Sequence, residues 1–115
     1  MTDSRVEKAL EFANYRATLN NQKQKLKDQC EANLNYAFNG GLFYIDQTLI
    51  SFIGNFLSQG KTAMVVLDNN QTPVDIENLQ EFYDSITTRW FESVNEYHRQ
   101  HMELANKRKV HKLVD

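Results

Sequence analysis

A single cysteine, Cys30, occurs in the chain, so no intrachain disulfide can form and the sequence reads as one suited to a reducing compartment. Proline is equally scarce, Pro73 being the sole example, and the four glycines stand at positions 40, 41, 54 and 60. Long apolar runs are also missing. The longest, such as Ala63–Leu67, are four to five residues, against roughly 20 needed to cross a bilayer. The first residues contain no apolar signal region. These absences lead us to expect an intracellular, cytoplasmic protein with no membrane partner. The net charge of −2 excludes strong non-specific nucleic-acid binding by the chain as a whole. Disorder is excluded by an aromatic content of 11%.

The missing helix breakers define the organisation. Thr2–Phe38 and Glu77–Arg108 contain neither glycine nor proline and are rich in good helix formers. We expect a long helix over about 3–38, with Asp3 or Ser4 as its cap and Asn39-Gly40-Gly41 as its stop. Phe12, Tyr15, Leu19 and Leu26 recur with the alternating steps of a coiled coil, although Asn20–Lys25 interrupts them with polar residues. A strand over 42–45 follows, then a helix over 46–59 capped by Asp46 and stopped by Gly60. That helix carries so wide an apolar face (Leu49, Ile50, Phe52, Ile53, Phe56 and Leu57) that deep burial is expected, with Gly54 marking the close approach of another backbone. A strand hairpin over 62–76 turns at Asp68–Pro73, and Pro73 places its second strand at an edge. A second long helix spans 77–108 with the stripe Leu79, Phe82, Tyr83, Ile86, Trp90, Val94, Tyr97, His101 and Leu104 buried. A flexible basic tail covers 109–115.

The expected fold is α+β and a single domain. Two long antiparallel helices are joined by a compact head of a short helix and a small antiparallel sheet, in the order helix-strand-helix-strand-strand-helix. So small a head covers only one end of each long helix. A second row of large apolar side chains, Phe12, Tyr15 and Leu19 on the first and Tyr83, Trp90 and Phe91 on the last, then points to a homodimer or higher oligomer.

No grouping with catalytic chemistry emerges, and we expect neither an enzyme nor a cofactor. His98 and His101 lie on one helical face, but nothing completes a zinc ligand set. Cys30 has no neighbouring histidine and reads as a small apolar filler. Asp68–Thr72 is oxygen-rich without the spacing of a calcium loop and reads as a plain turn. Gly40-Gly41 lacks the Lys-Ser/Thr of a phosphate loop. The charge is uneven: residues 77–105 carry a balance of −4 and residues 106–115 one of +3. Lys107, Arg108, Lys109 and Lys112 are therefore the candidate contacts for nucleic acid or an acidic partner.

The segments GGLFYIDQTLISFI (40–53), VLDNNQTPVDIENLQEF (66–82), EYHRQH (96–101) and KVHKLV (109–114) together resemble small uncharacterised proteins of T-even-type (myovirus) marine cyanophages. That resemblance implies a viral protein of the infected host's cytoplasm, virion-associated and concerned with virion assembly, with other phage structural proteins as partners.

Overall fold

Good helix formers without a breaker produce the first helix, α1, over Ser4–Asn33. In this computed structural model the backbone is described for residues 4–114 and the side chains for residues 4–107. The helix ends well before the expected residue 38, because Asn39 and Gly40 both adopt positive φ (46° and 82°). That pair makes a tight hairpin turn of the type whose twist suits antiparallel strands. Asn35–Phe38 is therefore a strand, β1, paired with β2 over Gly41–Tyr44, with Phe38 opposite Gly41. Leaving the helix lets Tyr36 and Phe38 turn onto the core beside the buried Phe43. A Cβ at Gly41 would collide with Cγ2 of Val74, so only glycine fits there.

The next elements form where expected. Asp46 caps α2 (Gln47–Ser58), its Oδ1 accepting from the Leu49 amide at 2.8 Å. Gly60 closes it with φ +86°, while the Lys61 amide reaches back to the Phe56 carbonyl at 3.1 Å. β3 (Met64–Leu67) pairs antiparallel with β4 (Pro73–Ile76). Asn78 caps α3, accepting from the Glu81 amide at 3.1 Å. This last helix runs over Leu79–Val114, so residues 109–114 continue it and do not form the expected flexible tail.

The α+β class and the two long helices stand, but the order gains a strand: helix-strand-strand-helix-strand-strand-helix. Two separate two-stranded sheets replace the single expected sheet. The long helices are antiparallel. Arg89 Nε donates to the Asn33 carbonyl at 2.9 Å, Cys30 Sγ lies 3.8 Å from the Ser93 carbonyl, and Gln22 and Lys25 share a groove with Gln100 and Lys107.

The core sits in the head. Phe82 is its centre, with the rings of Phe38 and Phe43 each 5.2 Å away and that of Tyr36 at 6.2 Å. Ile45, Ile53, Ile76, Leu79 and Ile86 complete it. Beyond Cys30 and Ser93 the two-helix arm buries little more than Leu19 and Leu104 among the described residues. The radius of gyration is 21.4 Å and the extents are 73 × 26 × 17 Å, against about 13 Å for a compact chain of this length.

Gln71 holds φ +63° in the β3–β4 connection, a conformation that costs a side chain-bearing residue roughly 1 kcal/mol. Gln71→Gly is expected to raise unfolding stability by about 0.5–1 kcal/mol, and Gln71→Val to lower it. Urea unfolding followed by circular dichroism checks both signs.

Candidate interaction surface

Between Gln47 and Gly60 the sequence has no charged residue, and α2 is the most apolar helix of the chain. It is nevertheless poorly covered, contrary to the deep burial expected. Only Ile53 is fully buried. Leu49, Ile50, Phe56 and Leu57 are half-buried, and Phe52 is 45% exposed, its ring edge-on to Phe56 at 5.0 Å. The physical reason is size: each sheet has two short strands, too small a platform to enclose a helix. Instead α2 leans on α3. The approach at Gly54 is to a ring and not to a backbone, since a Cβ there would stand 3.3 Å from Cε2 of Tyr83.

That contact leaves a groove of about 300 Å³ between the two helices, lined by Gln47, Ile50 and Ser51 from α2 and by Tyr83, Thr87, Trp90 and Phe91 from α3. None of these side chains is charged. The Trp90 and Phe91 rings meet edge to face at 5.4 Å, and Phe91 is 59% exposed. The Thr87 hydroxyl donates back to the Tyr83 carbonyl at 2.8 Å, which satisfies the polar end of that side chain within its own helix. Apolar surface of this kind gains about 25 cal/mol for each Å² removed from water.

The structure thus brings Tyr83, Trp90 and Phe91 together. Phe12, Tyr15 and Leu19 lie elsewhere, along α1, with Phe12 about 30 Å from the groove by helical rise. Phe12 is 60% exposed with the Arg16 guanidinium 5.8 Å above its ring. Tyr15 is half-buried. Leu19 is buried in the chain's own packing, so it is part of the frame and not of an open face. The groove positions that sequence reasoning missed are Gln47, Ile50, Ser51 and Thr87, whose signal was the uncharged run itself.

His101 is exposed, 6.2 Å from the Tyr97 ring, and does not belong to the buried stripe. Ser93 takes a buried place on that side of α3. Among the described residues no three His, Cys, Asp or Glu side chains gather as a metal site requires. Cys30 is buried, and burial pushes its thiol above the ordinary range, with Glu31 adding to the effect. Lys107 is exposed at the rim of the groove between the long helices, whereas the side chains of Arg108, Lys109 and Lys112 lie outside the described residues. No described helix is long and apolar enough to cross a membrane.

The most elaborately built polar group is Asp68. The expected plain turn is a joint between the two hairpins. Its buried carboxylate accepts from the Leu42 amide at 2.9 Å through Oδ2, and from the Asn70 and Thr72 amides at 2.9 and 2.8 Å through Oδ1. Asn69 adds two bonds to β2, donating to the Leu42 carbonyl and accepting from the Tyr44 amide. Asn39 Nδ2 donates to the Asp75 carbonyl from the other side at 2.9 Å. With three backbone amides of its own chain bonded to its carboxylate, Asp68 serves the fold.

Comparison with known protein families, curated proteins and solved structures finds no match to this chain.

The amides of Leu42 and Thr72 hold the Asp68 carboxyl below its ordinary value. A carboxylate so lowered contributes stability above its unfolded-state value, and that contribution is lost as pH falls through the lower folded-state value. Asp68→Asn is expected to lower the melting temperature by several degrees at pH 7. The gap to the parent protein should narrow as pH falls below about 4. Thermal melts across that range measure both effects.

Proposed function

We propose that this chain is a non-enzymatic assembly protein that associates with copies of itself through its helices. The observation that carries the proposal is the uncharged groove between α2 and α3, where the most apolar helix of the chain keeps only Ile53 fully buried. A surface used by two identical copies must be complementary to itself. A charged residue near the symmetry axis would meet its own copy, and a surface without charge avoids that repulsion. Trp90 and Phe91 are residue types that dominate binding energy when enclosed. The elongated shape supports the same reading, because 115 residues spread over 73 Å leave much helix surface for neighbours.

The resemblance to small myovirus proteins agrees with a role in building a virus particle within the infected bacterium, where such a protein would meet other structural components. The two-helix arm supplies length and the head supplies the sticky end.

Light scattering coupled to gel filtration at tens of micromolar is expected to give the mass of a dimer or larger assembly. Phe91→Glu keeps the fold, because the side chain is already exposed, and is expected to shift the distribution to monomer. A parent protein that remains monomeric at that concentration would refute self-association.

A further inference from the structure

The groove is one end of a longer surface. Continuing along α3 from Thr87, the residues Phe91, Val94, His98, His101 and Ala105 follow in steps of four and three. This is the spacing that keeps a row of side chains facing a partner helix. The row is distinct from the one that packs on α1, whose members include Ser93, Tyr97 and Leu104. Its own members are exposed or half-buried throughout, and Met102 beside it is 46% exposed. At about 3.6 residues per turn, every Asp, Glu, Lys and Arg of α3 from Arg89 to Lys107 falls on the other half of the helix, and Asp84 continues the row one step beyond Thr87 toward the head. Two such rows on one helix mean two partners, and α1 is only the first.

We infer that the second row is a seam to α3 of a second copy, running antiparallel, so that two hairpins form a four-helix bundle about a two-fold axis between Val94 and His98. The inference rests on the self-association proposed above and adds its location and direction. Three features select the second copy in this orientation. From Thr87 to Ala105 the seam contains no Asp, Glu, Lys or Arg, so facing its own copy sets no carboxylates or basic side chains of like sign together. The head half of α3 lies in the acidic stretch 77–105, while its final turns carry Lys107, Arg108, Lys109 and Lys112. Antiparallel packing sets the acidic half of each helix beside the basic end of the other, whereas parallel packing would set like beside like. The third feature is steric. α2 walls the seam at Thr87, and the antiparallel register brings Ala105 of the partner, the smallest side chain of the row, to that level. The same register sets Phe91 against His101 of the partner and Val94 against His98 of the partner.

The test is a distance between labels. Lys61 is exposed at the head, next to Thr62, whose carbonyl accepts from the Leu79 amide, so it lies level with the start of α3. Spin labels on Lys61→Cys in a Cys30→Ala background, with helicity checked by circular dichroism, are expected about 50 Å apart by pulsed dipolar spectroscopy in the antiparallel dimer. A parallel dimer would bring them within about 30 Å. In the full-length chain His101→Glu, also exposed and neutral to the fold, is expected to weaken dimerisation at least about tenfold by setting a carboxylate against Phe91 of the partner. A dimer with labels within 30 Å, or one indifferent to His101→Glu, overturns the seam while leaving self-association intact. Absence of any dimer overturns both.

Discussion

Phe82 determines how the two halves of the chain meet. It is 1% exposed, and rings from both strands of the first hairpin close on it while it stands in the first turn of α3. Removing such a ring from a core costs about 3–5 kcal/mol, a large share of the 5–15 kcal/mol that holds a typical domain together. Its geometric consequence matters as much. Once Phe82 and Ile86 face the hairpin, the rotation of α3 is set for its whole length, and with it the assignment of every later residue. Ser93, Tyr97 and Leu104 turn toward α1. Thr87, Phe91 and Val94 turn the other way, toward α2 and beyond.

That rotation turns the charged side chains between Arg89 and Lys107 away from the row Thr87, Phe91, Val94, which the chain leaves uncovered. A larger sheet would cover it. Here the polar links among the small elements do another job: Asp68, Asn69 and Asn39 bind one hairpin to the other, making two marginal ribbons into a single platform. An isolated two-stranded ribbon is at best marginally stable in water, so the carboxylate of Asp68 and its three amide donors help keep the head a defined shape. The platform is too small to enclose α2, which leans on α3 instead. The groove is the remainder.

The arm has the opposite character. Its helices are long, polar and thinly packed, and Arg99 between Glu96 and Glu103 strengthens the exposed side of α3 with pairs worth little individually. Stability is concentrated at one end of the molecule and reach at the other. This division is the one that the proposed association through helices requires.

Much of this was legible in the residues. The absence of glycine and proline over Thr2–Phe38 and Glu77–Arg108 set the two long helices, and Asp46 and Gly60 marked helix ends that the structure places there, because caps and stops depend on local hydrogen bonds and backbone angles. Asn39-Gly40 was also legible as a hairpin turn between Tyr36/Phe38 and Phe43. Its message was masked by the helix propensity of the residues before it, which the burial of two aromatic rings outweighs. What the sequence by itself determined was therefore local: helix, turn, cap and class. Which apolar residues are covered was decided only by the tertiary structure. Leu19 and Phe12 share one helical row, seven residues apart, yet one is buried and the other exposed. Whether each is enclosed or open depends on how far a neighbouring element extends beside it, and periodicity contains no information about that. The six aromatic and aliphatic residues chosen as one interface were separated for this reason. Three became a groove, and the other three remained on the arm.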